Sequence, residues 1–163
     1  MRGLLLAVYR RRGLTRGLKI ASYAAVILTL PVFALLVWRA FTVSMTDGAI
    51  LLFISGIPFV LVTLLRRILS LPRPYEIYDF YDTPPKEKRG QSFPSRHVFS
   101  ITLIGTLCLF AYPVLGGILL AAGLVMAVSR VLLGVHFIRD VVAGALIGVI
   151  SALIGVLISN PFV

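Results

Sequence analysis

The chain is poor in the residues that build a soluble or a cross-linked surface. Its 163 residues include one cysteine, Cys108, which excludes a disulfide-stapled secreted module. Six residues are acidic and 13% are charged, about half the charged share of an ordinary soluble domain. So little charge also excludes a disordered chain and a coiled coil. Neither an internal repeat nor a low-complexity tract interrupts the sequence.

Apolar residues take the place of charge. They make up 59% of the chain, and mean hydropathy is +1.01. A bilayer span needs about 20 mostly apolar residues. Apolar runs cover residues 20–41, 49–65, 98–112, 118–133 and 141–159, with Pro113 and the pair Gly116-Gly117 read as the turn between the third and fourth. Each run is apolar all round, as membrane helices are. The expectation is an all-α, polytopic membrane helix bundle of about five transmembrane helices in one domain, residues 1–163. Gly144 and Gly148, and Ser151 and Gly155, stand four apart, a spacing that lets helix backbones approach closely.

Residues 1–19 differ from the rest. The apolar stretch 3–9 is too short to span and is followed by Arg10, Arg11, Arg12, Arg16 and Lys19. This pattern predicts a basic interfacial segment. No small-residue cleavage pattern follows the first run, so it is read as an uncleaved anchor.

The net charge of +10 would suggest nucleic acid in a soluble protein. Apolar spans leave too little polar surface for a phosphate-tracking groove, so no nucleic-acid partner is expected. Charge placement speaks to topology instead. With five spans, the N-terminal segment, the 66–97 loop and the 130–140 loop share one side. That side holds fifteen of the sixteen Lys and Arg residues, and Arg39 is alone on the other. The positive-inside rule places the N-terminus and both polar loops in the cytoplasm.

Ionisable residues at membrane depth are costly and mark function by default. They cluster in three places. Residues 66–74 read Arg-Arg-Ile-Leu-Ser-Leu-Pro-Arg-Pro, residues 93–97 read Phe-Pro-Ser-Arg-His, and Ser129-Arg130 leads through His136 to Asp140. Both histidines of the chain fall in these clusters, and all three clusters lie on one side. Several guanidiniums beside a serine hydroxyl suit a doubly charged oxyanion, because the guanidinium fork matches phosphate oxygens. Two imidazoles can divide the work of nucleophile and general acid. Asp140, four residues after His136, can orient that ring, pair with Arg139, or cap the last span. No metal and no other cofactor is expected, since the histidines lack a ligand cluster and the arginines repel a cation.

These segments resemble the signature of the type 2 phosphatidic acid phosphatase superfamily, which includes lipid phosphate phosphatases and shares its site with vanadium haloperoxidases. The family pattern is a basic residue, six others and Arg-Pro; then Pro-Ser-Gly-His; then Ser-Arg, five others, His, three others and Asp. Arg66 stands where the family usually has lysine, and Arg73-Pro74 matches. Pro94-Ser95-Arg96-His97 matches except that Arg96 replaces glycine, and Ser129-Arg130, His136 and Asp140 match at every fixed position. The resemblance covers residues 66–140, and the chain has one helix fewer, on its N-terminal side, than the family's six-helix core.

The resemblance implies that His136 attacks phosphorus and forms a phosphohistidine, that Asp140 orients His136, and that His97 protonates the leaving oxygen and later activates water. It implies that Arg66, Arg73, Arg130 and the Ser95 hydroxyl hold the phosphoryl oxygens. Arg96 reads either as a further phosphate contact or as a headgroup anchor. The aromatic and acidic loop 75–91 reads as an interfacial belt or as a flap over the site. The implied function is an integral membrane lipid phosphatase, metal-independent, acting on a phosphomonoester or diphosphate such as phosphatidylglycerophosphate, phosphatidic acid or a polyisoprenyl phosphate or diphosphate. The rivals are a phosphotransferase using the same site and a non-catalytic protein that only grips lipid headgroups.

Overall fold

A computed structural model describes residues 2–78 and 89–158. The centre of the 75–91 loop, with Lys86 and Lys88, and Ser159 at the end of the last apolar run, lie outside the described residues. Seven helices follow in order: α1 (Arg2–Arg10), α2 (Arg12–Val43), α3 (Met45–Leu69), α4 (Pro74–Ile77), α5 (Arg96–Ala111), α6 (Pro113–Leu132) and α7 (Ile138–Ile158). Helices α2, α3, α6 and α7 are long and apolar enough to cross a membrane, and α5 is a shorter apolar helix. The chain is a multi-pass membrane protein with an all-α bundle, and α1 is the short N-terminal helix read as interfacial.

Three boundaries differ from the sequence reading. Helix α2 starts at Arg12 rather than at residue 20, and α3 runs on to Leu69 through Arg66 and Arg67. A helix does not stop where hydropathy falls; it stops where its backbone groups find other partners. The third difference is at Gly116 and Gly117, which lie inside α6 rather than in a turn. Pro113 begins that helix, where a missing N–H costs nothing. A Cβ on Gly116 would come within 2.5 Å of the Leu109 backbone nitrogen, so glycine here permits two helices to meet rather than to turn.

The joints at one end of the bundle are single residues. Ser44, with extended backbone, links α2 to α3 and accepts a hydrogen bond from the Asp47 N–H at 3.0 Å, a helix cap. Tyr112 links α5 to α6. Arg39, the lone cation at this end among the described residues, lies 5.6 Å from the Tyr112 ring centroid. The opposite end holds the longer, polar connections.

Helix α5 is the axis. From Val98 to Cys108 every residue except Ser100 is buried, and α2, α3, α6 and α7 all pack on it. At 16 residues it is about 24 Å long, short of a hydrocarbon core of about 30 Å. Protein surrounds it, so its ends need not reach the membrane surface. Large apolar side chains such as Tyr23, Ile27, Phe53, Leu124 and Leu157 point outward from the other helices, as a lipid-facing surface requires. The sequence spacing of Gly144 and Gly148 is realised as the α5–α7 seam. A Cβ on Gly144 would stand 2.5 Å from the Ser95 carbonyl oxygen.

Candidate active site

All three polar clusters meet at the end of the bundle opposite Ser44 and Tyr112. Arg66 ends α3, Ser95 precedes α5, Arg130 ends α6 and Asp140 starts α7. Helices α5 and α7 both begin here. Arg96, His97 and Val98 form the first turn of α5, whose N–H groups have no intrahelical acceptors and carry the positive end of the helix dipole.

Backbone hydrogen bonds set the frame. The Ser95 N–H donates to the Asp140 carbonyl at 2.8 Å, which ties the start of α5 to the start of α7. The Ser92 N–H donates to the Leu71 carbonyl at 2.9 Å. Arg73 Nε donates to the Gly90 carbonyl at 3.1 Å, and the Gly90 N–H donates to Glu76 Oε1 at 2.7 Å. Gly90 has φ +66, the left-handed region that favours glycine. Arg66 Nη1 donates to the Pro94 carbonyl. Segments 71–76 and 90–95 are thus clamped together. Arg66, Arg73 and Arg130 are all buried, and so is Ser95, whose Oγ has no hydrogen-bond partner among the described residues.

His136 lies in the 133–137 connection, where Gly134 has φ +65 and the N–H groups of Val135 and His136 both donate to the Arg130 carbonyl. Its side chain is buried, and Nδ1 stands 3.7 Å from Asp140 Oδ2. That is longer than a hydrogen bond. Burial pushes the His136 imidazole below the ordinary histidine range. The Asp140 carboxylate pulls the other way, and Arg73 and Arg66 reinforce the downward shift. The ring is therefore neutral at pH 7, with Nδ1 toward the carboxylate and Nε2 directed away from it.

Asp140 is fully buried and does three things at once. Its Oδ2 accepts from Ser92 Oγ at 2.5 Å and from the Phe137 N–H at 2.9 Å, and it faces His136. The contact with the Phe137 N–H realises the capping reading of Asp140, and the carboxylate also stands beside the His136 ring. The Arg139 reading is weaker: its Nε lies 3.6 Å from Asp140 Oδ1, and its side chain is 64% exposed.

His97 lies within electrostatic reach of Arg130, His136, Arg96 and Arg66. The fold thus brings both imidazoles, the carboxylate, Ser95 and the three buried arginines to one end of the bundle. Arg96 stands apart. It is half-buried, with its guanidinium 5.6 Å from the Phe59 ring centroid. It lines, with His97, a cavity of about 550 Å3 that runs between α2, α3, α5 and α6 past Phe59, Gly56, Ile104 and Met126.

Sequence reasoning missed Ser92. It is fully buried and bonded to a carboxylate 48 residues away. A serine in a polar loop gives no spacing signal, and only the tertiary contact identifies it. Ser129, left out of the site on sequence grounds, is buried and donates to the Val125 carbonyl within its own helix at 2.8 Å.

The family model of the PAP2 superfamily matches residues 47–162. The bacitracin transport permease protein BcrC of Bacillus licheniformis is 32% identical over 112 residues, which are 66% of this chain and 55% of that protein. The chain thus spans about half the length of this curated relative. Among solved structures, a transmembrane PAP2 type phosphatidylglycerolphosphate phosphatase from Bacillus subtilis superposes with a TM-score of 0.72 at 20% identity, over 98% of this chain and 84% of that one. LpxE of Aquifex aeolicus superposes with a TM-score of 0.68 at 22% identity, over 95% and 93%. At these identities the two structures establish the fold.

Proposed function

The chain belongs to the PAP2 superfamily, and from that premise we propose that it is an integral membrane lipid phosphatase working through a phosphohistidine on His136. The observation that carries the reading is a contiguity. An anion-gripping end with two imidazoles and three buried guanidiniums opens through His97 onto an apolar cavity of about 550 Å3 inside the bundle. A substrate with a charged phosphate and an apolar tail matches both halves. The likeness in fold to the phosphatidylglycerolphosphate phosphatase supports a lipid phosphate as the substrate class.

The proposed chemistry gives these groups the roles that the family resemblance implies. Arg66, Arg73 and Arg130, the Ser95 hydroxyl and the free N–H groups of α5 take the phosphoryl oxygens, where charge is spread in the transition state. His136 Nε2 attacks phosphorus in line. The N–P bond forms as the bond from phosphorus to the lipid oxygen breaks, and His97 gives that oxygen its proton. Positive charge developing on His136 is met by Asp140 across Nδ1. Water then attacks the phosphohistidine, His97 takes its proton, the N–P bond breaks and inorganic phosphate leaves. No step calls for a metal ion.

Arg96 is the headgroup-side cation of the cavity. Stacked on Phe59, it grips the part of the headgroup next to the scissile phosphate. The count of fifteen cations against one supports a cytoplasm-facing site. A reporter fused to the C-terminus tests this: activity of a cytoplasmic reporter there refutes it.

The deciding experiment is phosphate release from a panel of lipid phosphates in detergent without divalent metal. His136→Ala is expected to lose about 1,000-fold or more in kcat, and acid-labile, base-stable label from a phosphate-labelled lipid should remain on the wild type alone. Undiminished release by the variant removes His136 as nucleophile. Lipid binding without release by the wild type favours the headgroup-gripping rival, and label passed to an alcohol rather than to water favours the phosphotransferase.

A further inference from the structure

The N-terminal hairpin holds a second cationic cavity that the chemistry above does not use. Helix α1 and the first turns of α2 border an open cleft of about 510 Å3 lined by Tyr9, Arg10, Arg12, Thr15, Arg16 and Lys19. The first acidic residue of the chain is Asp47, so no carboxylate side chain of this segment balances these cations. Arg10, Arg12, Arg16 and Lys19 are exposed and form no ion pair or side-chain hydrogen bond among the described residues.

The hairpin is a built turn rather than a loose tail. The Arg11 N–H donates to the Val8 carbonyl at 3.0 Å, and Thr15 Oγ1 donates to the same carbonyl at 3.0 Å. This fixes the corner between α1 and α2, so that Arg10 borders the same cleft as Arg12, Arg16 and Lys19. Those three lie at i, i+4 and i+7 on one face of α2.

Depth identifies the ligand. Helix α2 has 32 residues and is about 48 Å long, while a hydrocarbon core is about 30 Å thick. Its basic first turns therefore stand at headgroup level. Leu4, Leu14 and Ile20 are exposed apolar side chains on the same hairpin, which dips its flank toward the acyl region. Clustered guanidiniums above an apolar flank match the phosphodiester of an anionic phospholipid.

The hairpin also touches the catalytic end. Leu5 of α1 is buried against Tyr75. The Tyr75 N–H donates at 3.2 Å to the carbonyl of Gly134, two residues before His136. The Arg73 guanidinium lies 5.8 Å from the Tyr75 ring centroid. Tyr75 thus contacts α1, a phosphate-side arginine and the nucleophile's loop.

We infer that the α1–α2 cleft binds the headgroup phosphodiester of an anionic phospholipid, and that this holds α1 on Tyr75 and steadies Arg73 and the His136 loop. The activating half of this inference rests on the phosphatase reading; the binding half does not. The test uses full-length protein in nanodiscs of phosphatidylcholine with increasing phosphatidylglycerol. Two readouts are taken: association of spin-labelled phosphatidylglycerol, and phosphate release. The wild type should retain phosphatidylglycerol over phosphatidylcholine, and its activity should rise severalfold with it.

The triple variant Arg12→Gln, Arg16→Gln, Lys19→Gln should bind at least about tenfold more weakly, keep the wild-type rate in phosphatidylcholine and lose the rise. Leu5→Asn should bind as the wild type does without the rise, with its thermal melt confirming the fold. Equal lipid retention by the triple variant overturns the site, and an intact rise in Leu5→Asn overturns the coupling. Displacement of the labelled lipid by millimolar inorganic phosphate would make the ligand a soluble anion and overturn the lipid assignment. A protein that binds phosphatidylglycerol as described but releases no phosphate in any disc fails the phosphatase reading alone.

Discussion

The α5–α7 seam and the α2–α3 side of the bundle are built on opposite principles. The seam is close-packed, with Gly144 against the Ser95 carbonyl, the Ser95 N–H bonded to the Asp140 carbonyl, and His136 and Asp140 buried beside it. The α2–α3 side is looser. It shares its inner face with a cavity lined by Thr29, Leu30, Gly56 and Phe59, and turns large apolar residues outward. On the phosphatase reading proposed above, catalysis needs fixed atoms and tail binding needs volume, and the two sides would supply one each. Covalent chemistry tolerates displacements far smaller than 1 Å, whereas an apolar tail tolerates many packings.

The comparison breaks first at His136, whose replacement by alanine is the largest loss expected. Next is Gly144→Val, which drives a side chain into the Ser95 backbone. Phosphate release should fall about 100-fold or more, with a lower melting temperature, while Gly56→Val on the loose side leaves both nearly unchanged. A comparable loss from the two would erase the distinction between the sides. Ser92→Ala removes a donor from the buried Asp140 carboxylate. A lost partner of that kind is worth about 1–3 kcal/mol, so kcat should drop about tenfold with KM little changed. An altered pH profile and rescue by Ser92→Thr would mark positioning of the His136–Asp140 pair; a KM effect alone would refute it.

The pH dependence concerns the same rigid half. His136 is held below the ordinary histidine value of 6.5 by burial. Below pH 6.5 the unfolded chain takes up this proton before the folded chain does, so stability is full above that pH and declines as pH falls toward the folded value. The wild-type melting temperature should therefore fall on acidification from pH 6.5 more steeply than that of His136→Asn. Parallel curves would show that burial does not lower this imidazole. The smallest effect lies on the loose side. A Cβ at Gly56 meets no atom within 4 Å, so Gly56→Leu adds its side chain from an open position on the cavity wall and narrows the cavity. KM for a long-tailed lipid phosphate should rise about threefold to tenfold, with a short-chain substrate unaffected. Equal effects on both would mean that the tail lies elsewhere.

Much of this was legible in the sequence. The five apolar runs and the three polar clusters at their ends foretold a bundle with one polar end, and the fold gathers Arg66, Arg73, Ser95, Arg130, His97, His136 and Asp140 there. Helix ends were less legible. Hydropathy reports where lipid begins, while α2 begins after the turn at Arg11 and α6 begins at Pro113, where proline chemistry permits. Ser92 and the α1–Tyr75 contact were illegible because they join residues tens of positions apart with no periodic pattern between them. Arg96 was visible only as a departure from a motif, and its stacking on Phe59 needed the third dimension.

The single-residue joints at Ser44 and Tyr112 have a consequence for handling the protein. A protease needs an extended stretch of several residues to enter its cleft, and these corners supply none. In sealed vesicles, cleavage of the 44 and 112 corners should be absent whichever way the protein is inserted. Cuts within the connections of the opposite end, if the enzyme is added outside, would report which face of the membrane the polar end of the bundle occupies.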